Sequence, residues 1–202
     1  MPRVSDEYRA NRRVEIIAAA ARRFARDGFH STSMADVISE SGLSAGAVYR
    51  YFRSKEELIG AVAETALSTA DEVFGRLLAD DATPAPDEAV AAMVDGIVGR
   101  VSRDPATSVD LTRIALQGWA EALRNPGIYD RVDSAFRQLR GHCAEVARRW
   151  QAAGNLPPDA VPEQVGAAML GLVQGFLLQR LLLADTTPAD YLAGTRALLA
   201  GH

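Results

Sequence analysis

Between Ser31 and Leu58 the chain concentrates phenols and fixed cations, side-chain types whose chemistry suits a polyanion. Tyr49, Arg50 and Tyr51 follow one another, and Lys55 comes four residues later behind Ser54. Guanidinium and ammonium groups neutralise phosphates, and phenol hydroxyls donate hydrogen bonds to them. Chemistry that makes or breaks covalent bonds has no comparable set. The three histidines, His30, His142 and His202, are far apart. The acid pairs at 56–57, 71–72 and 87–88 fall at helix starts or on solvent faces. No metal-ligand spacing, phosphate loop or nucleophile elbow occurs, so no catalytic residue, metal site or cofactor is expected.

Helices must position the cationic set. Residues 8–27 read as one, with Val14, Ile17, Ala21 and Phe24 at three- and four-residue steps and Gly28 as its C-cap. Arg12, Arg13, Arg22, Arg23 and Arg26 occupy its other faces. Residues 33–40 form a short second helix, N-capped by Ser33 or Thr32 with Asp36 closing a capping box, and with Val37 and Ile38 inward. Gly42 supplies the left-handed turn and Leu43 fills the angle. Ser44 caps a third helix, 45–51, whose Val48 and Phe52 point to the core. That leaves Ala45, Gly46, Tyr49 and Arg50 outward. Ser54-Lys-Glu-Glu57 is a capping box that starts a fourth helix at Lys55, running to about Leu78. Two short helices joined by a tight glycine turn are a helix-turn-helix, whose second helix fits the major groove of DNA.

Charge distribution supports that reading although the net charge is −4. Residues 1–55 hold ten Lys/Arg against six Asp/Glu, and the remainder twelve against twenty, so a head of net +4 precedes a body of net −8. A polyanion is directed to the head alone. The apolar share of 48% is enough for a sizeable core. One cysteine, Cys143, allows no intrachain disulfide and reads as a small core residue, which together with an N-terminus lacking an apolar signal core fits a cytoplasmic protein.

Beyond the fourth helix the pattern stays helical. Residues 80–87 are a loop by composition. Helices follow over 87–103, 106–124, 127–153, 162–184 and 188–200, with stops at Asn125-Pro126-Gly127 and Gly154-Asn155. The fold class is therefore all-α: a three-helix head at 1–53 and a helical body at 54–202, about nine helices in total. The run Val165–Ala184 is long and apolar enough to span a bilayer. Gln174, Gln179 and Arg180 interrupt it, and Gly166, Gly171 and Gly175 admit another backbone. A helix buried at a subunit interface is expected here, ahead of burial in the protomer's own core and of membrane insertion.

The head resembles the tetracycline-repressor (TetR) family of bacterial transcription regulators. The resemblance covers residues 13–58. It rests on Phe24, Gly28-Phe29, Thr32-Ser33-Met34 before Asp36-Val37-Ile38, Gly42-Leu43-Ser44, Gly46-Ala47-Val48-Tyr49 with Tyr51-Phe52, and Ser54-Lys55-Glu56-Glu57-Leu58. Over 59–202 it extends only to a plan of amphipathic helices holding a ligand pocket and a dimer interface. Carried over residue by residue, it implies that Thr32 and Ser33 hydrogen-bond phosphates at a helix N-terminus. Ser44, Ala45, Gly46 and Ala47 then lie at the end of the third helix that faces base edges. Tyr49 and Tyr51 contact phosphates, Arg50 touches bases or backbone, and Lys55 clamps a phosphate. Where the family often carries a longer polar side chain this chain has Ala45, and where it can carry a base-reading arginine it has Ala35. Direct readout thus falls mainly on Arg50. Arg3 and Arg9 form a candidate arm toward an adjacent groove.

The partners expected from this reading are a double-stranded palindromic operator, a second copy of the chain and a small hydrophobic effector. The interface candidates are Leu170, Val173, Leu177, Leu181, Leu192 and Leu199. The effector candidates are Phe74, Met93, Ile97, Leu116, Gln117, Trp119, Leu123, Tyr129, Phe136 and Leu139. A ligand-responsive repressor is the expected function. The alternatives are an activator or ligand-independent regulator of the same fold, or a helical interaction protein without DNA binding.

Overall fold

The computed structural model describes residues 6–79, 83–101 and 109–199. Arg3, most of the 80–87 loop's first half, the segment 102–108, Ala200 and His202, on which some expectations fell, lie outside them. Nine α-helices and no strand occur among the described residues: α1 Asp6–Ser31, α2 Met34–Ser41, α3 Ala45–Tyr49, α4 Lys55–Leu77, α5 Pro86–Gly96, α6 Leu111–Ala122, α7 Pro126–Ala152, α8 Pro162–Leu182 and α9 Pro188–Leu199. The end of α5 widens into a π-helical stretch, Ile97–Val101, where a single longer helix was expected.

Packing divides the chain into two compact units, Met1–Ala66 with Arg100–Val132, and Leu67–Gly99 with Asp133–His202. The first unit keeps more than the 1–53 head. Its core joins Ile16, Ile17, Phe24, Val37, Val48 and Phe52 to Leu58 and Val62 of α4, Leu111 and Ile114 of α6, and Ile128 of α7. The apolar stripe of α1 is too wide for α2 and α3 to cover, so α6 packs on it as well. Phe24 and Phe29 meet edge to face at 4.9 Å. Gly28 takes φ 81, breaking α1 where the C-cap was expected, and one further turn continues to Ser31.

The second unit buries Phe74, Val90, Met93, Val94, Cys143, Val146, Trp150, Met169, Val173 and Phe176. The Trp150 indole donates to the Pro84 carbonyl at 2.6 Å, and Arg149 donates to Leu78 O at 2.8 Å. Asp71 accepts from Gln138 Nε2 at 2.8 Å and bonds His142 Nε2 at 2.7 Å, while the imidazole stacks on Phe74. Helices α7 and α8 touch backbone to backbone at Gly166, where a Cβ would lie 2.6 Å from Ala144 N. Of the three glycines expected to admit a neighbour, Gly166 does so and Gly175 faces the Tyr191 hydroxyl. Gly171 is open.

Helix α8 is long and apolar enough to cross a membrane by length and composition alone. It is not uniform around its circumference. Gly166, Met169, Leu170, Val173, Phe176 and Leu177 are buried in the protomer's own core, and Leu178 and Leu182 are exposed. Four residues expected at a subunit interface, Leu170, Val173, Leu177 and Leu192, therefore already have partners within the unit. Leu181 is half-buried and Leu199 is exposed. An apolar stretch read by composition does not reveal which leucines turn inward. The apolar surface left uncovered near the C-terminus is Leu178, Leu182, Leu183, Leu198 and Leu199.

Candidate nucleic-acid interface

The helix-turn-helix is built by three local devices. Ser33 caps α2: its Oγ accepts from Asp36 N at 3.2 Å, and Asp36 Oδ2 accepts from Ser33 N at 2.8 Å. Ser33 Oγ also donates to Asp36 Oδ2 at 2.6 Å, and that bond first, then the one from Ser33 N, holds the Asp36 carboxyl below the usual carboxylate range, with Arg23 nearby adding to the effect. Gly42 takes φ 66 and donates its N–H to Ser39 O, closing α2 in a left-handed turn. Ser44 Oγ then accepts from Ala47 N at 3.3 Å and starts α3. Val48 and Phe52 are buried, so Ser44, Ala45, Gly46, Tyr49 and Arg50 all stand exposed on one surface, with Ala47 and Tyr51 half-buried beside them. Tyr49 keeps 47% of its surface open, its phenol free to meet a ligand.

The start of α4 adjoins this surface. Ser54 Oγ accepts from Glu57 N at 3.3 Å, and Glu57 Oε2 accepts from Arg53 N at 2.7 Å, a capping pair displaced by one residue from the usual reciprocal box. Lys55 Nζ donates to Phe29 O at 2.9 Å. The ammonium carries three protons, so two remain for an anion while the third ties α4 to the α1–α2 joint. Thr32 behaves differently from Ser33. It is 1% exposed and its hydroxyl donates to Gly28 O at 2.7 Å, so it braces the joint, and the phosphate contact expected of this hydroxyl would require breaking that bond.

Three arginines of α1 face α2. Arg22 Nε meets Glu40 Oε1 at 2.9 Å, and Arg26 Nη2 meets Glu40 Oε2 at 3.4 Å. Arg23 reaches Asp27 at 2.8 Å. Arg12 pairs with Glu15 and lies over the Tyr8 ring, and Arg13 lies over Phe52 at 5.4 Å. Arg9 is exposed. A shallow cavity of about 220 Å³ flanks this region, lined by Arg13, Tyr51, Phe52, Glu57, Ala61, Glu64 and Arg131. Its guanidinium groups and carboxylates balance. Arg131, which sequence reasoning passed over, rests against the backbone of Gly60, a placement only distance in the fold discloses.

The ten residues expected to face DNA all lie in the first unit. The ten expected to hold an effector are divided between the two units. Phe74, Met93, Ile97, Phe136 and Leu139 belong to the second unit's core or its edge. Leu116, Gln117 and Trp119 are half-buried on α6 in the first unit. Leu123 and Tyr129 are 84% and 53% exposed. Gln117 Oε1 is buried without a hydrogen-bond partner among the described residues.

Residues 16–62 match the profile of bacterial regulatory proteins of the tetR family, and residues 103–202 that of the BetI-type transcriptional repressor C-terminal domain. The HTH-type transcriptional repressor Rv1474c of Mycobacterium tuberculosis is 30% identical, with 90% of this chain and 88% of that protein covered. The chain belongs to the TetR family. It is accordingly a helix-turn-helix transcriptional regulator and not an enzyme. Among solved structures, Salmonella enterica GusR superposes with a TM-score of 0.74 at 23% identity, covering 99% of this chain and 98% of that one. The SmeT–triclosan complex superposes with a TM-score of 0.71 at 21% identity, covering 93% and 90%. Both likenesses show that this TetR-family regulator shares their fold.

Proposed function

We propose that this regulator is a ligand-responsive repressor that binds a palindromic operator as a homodimer and leaves it when a small hydrophobic molecule enters the body. The observation that carries the reading is the open face of α3, where two small residues, Ala45 and Gly46, let the helix approach base edges between the exposed Tyr49 and Arg50 and the capped start of α2. Ser33, Ser44, Tyr49, Tyr51 and Lys55 hold the backbone of the duplex, and Arg50 reads a base, with a guanine edge as its natural partner. Residues 1–53 serve as the reading head and 54–202 as the body that dimerises and senses.

One recognition helix reads too few base pairs to select a site, and a two-fold dimer places two of them about 34–36 Å apart. The exposed Leu178, Leu182, Leu183, Leu198 and Leu199 supply apolar area for that contact. The effector is held among Phe74, Met93, Ile97, Phe136 and Leu139, a reading supported by the complex of SmeT, which shares the fold, with triclosan. Helix α4 starts at Lys55 beside the reading helices and ends at Leu77 near Phe74, which makes it the natural lever. Release follows if the effector binds the DNA-free form more tightly, in proportion to that difference. A regulator of this kind acts on the chromosome, in the cytoplasm.

The test is fluorescence anisotropy on DNA taken from immediately upstream of the coding region, alongside sedimentation velocity. A salt-dependent, sequence-selective complex of two chains per site is expected. Leu182→Glu should yield a monomer that loses the selective complex. A stable wild-type monomer with no preference for any duplex would refute the reading.

A further inference from the structure

Helix α2 carries its acids at positions 36 and 40, one turn apart on one face, and that face meets three arginines of α1. Glu40 is the hub. Its Oε1 accepts from Arg22 Nε at 2.9 Å and its Oε2 from Arg26 Nη2 at 3.4 Å, while Arg23 Nε lies 3.6 Å away. Arg23 also reaches Asp36 Oδ1 at 3.8 Å, and Arg26 Nε donates to Asp27 Oδ1 at 3.1 Å. Arg23 and Glu40 are 22% and 20% exposed, sheltered more than ordinary surface ions. The guanidinium of Arg22 first, then that of Arg26, holds the Glu40 carboxyl below the usual carboxylate range, so the hub is charged at neutral pH.

The network also decides where the head's charge is usable. Of the ten cations and six anions in residues 1–55, it pairs three with three: Arg22, Arg23 and Arg26 with Asp27, Asp36 and Glu40. The whole excess of four is left on Arg3, Arg9, Arg12, Arg13, Arg50, Arg53 and Lys55 against Asp6, Glu7 and Glu15. Free arginines would hold any duplex through its phosphates, because that attraction carries no sequence information and acts over roughly a Debye length of 10 Å.

We propose that Glu40 is a specificity-determining positioning residue: it fixes α2 on α1 through Arg22, Arg23 and Arg26, and by neutralising them it keeps α1 from holding DNA of any sequence. Glu40 touches no base; it acts through the orientation of α2 and through the charge it cancels.

The experiment uses the full-length protein with two probes: a duplex it selects from a randomised pool, and a scrambled duplex of equal composition. Affinities are read by anisotropy across roughly 50 to 200 mM salt. Glu40→Gln keeps the side chain's shape and removes its charge. It should weaken the selected duplex about threefold to tenfold and tighten the scrambled one about twofold or more. The salt slope on scrambled DNA should steepen by about one, the signature of one additional phosphate neutralised. A purely structural role would lower the melting temperature and move both probes by one factor. That outcome, or no change on either probe, overturns the proposal. Should Glu40→Gln fail to fold, Arg22→Gln decides. It removes one tie and one cation, so selected DNA should weaken without any gain on scrambled DNA, and an unchanged selected affinity overturns the proposal.

Discussion

Two glycines on neighbouring helices should respond unequally to the same substitution. A Cβ at Gly166 would sit 2.6 Å from Ala144 N, 2.9 Å from Ala144 Cα and 3.0 Å from Cys143 C, all backbone atoms of α7 that cannot rotate away. A Cβ at Gly141, on the exposed face of α7 itself, meets nothing within 4 Å. Replacing a helical glycine by alanine gains about 1 kcal/mol in propensity, and Gly141→Ala should realise most of it. Gly166→Ala gains no more than that and must push α8 away from α7 by close to an ångström, an overpacking cost of about 1–3 kcal/mol. The two variants should therefore differ by about 1–3 kcal/mol. For a chain of 150–250 residues that is a separation of roughly 2–12 °C in Tm, with Gly141→Ala above wild type and Gly166→Ala the lower of the two. Thermal melts by far-UV circular dichroism, at one fixed protein concentration because self-association shifts the midpoint, provide the measurement. Equal upward shifts would show that α7 and α8 do not touch at this point and would remove the basis for the packing described in the second unit.

Other perturbations separate the roles within the head. Arg50→Ala should relax the choice at one base pair by about 1–3 kcal/mol, seen as a flattened position in a selection experiment; a uniform loss over all sequences would make Arg50 a backbone contact. Lys55→Gln should reduce the slope of log K against log salt by about one and, by releasing Phe29 O, lower the melting temperature as well. Thr32→Val leaves the Gly28 carbonyl without its donor in a 1% exposed site and should destabilise the head by about 1–3 kcal/mol in denaturant titrations. Asp27, Asp36 and Glu40 are all held below their ordinary range by arginines or by the Ser33 cap. Their contribution is full above the ordinary carboxylate pKa near 4 and disappears as pH falls further, so melts from pH 6 to about 3 should fall steeply, and less steeply for Glu40→Gln.

Features legible in the sequence were those decided within four residues. Ser33 with Asp36, Ser44 with Ala47, and Gly42 in its left-handed turn are local bonds, and each stands where spacing placed it. The helical class of the body followed from periodicity in the same way. What spacing could not disclose were partners distant along the chain. The Lys55–Phe29 bond spans twenty-six residues and that of Glu40 to Arg22 eighteen, so neither the joint nor the clamp on α2 had a local signature. Helix α8 was hardest, since an unbroken apolar run has no polar face to orient it. Which leucines face the protomer's core and which face outward depends on α5, α7 and α9, and composition cannot rank them. The effector candidates divide between the two units for a related reason. Bulk and helix membership selected them, and the boundary between the two units passes through α7, separating Tyr129 from Phe136.

The single thiol gives this molecule a clock. Cys143 is fully enclosed, and burial pushes its pKa up to about 12, so at neutral pH almost no thiolate exists to attack a reagent while the surrounding helices stay closed. Alkylation can then proceed only during excursions that expose the sulfur, and its rate in native buffer counts those excursions directly. Operator DNA or an effector that tightens the second unit would slow the reaction without any label having been introduced, and a cysteine engineered on the surface would be modified first, leaving the native one unspent.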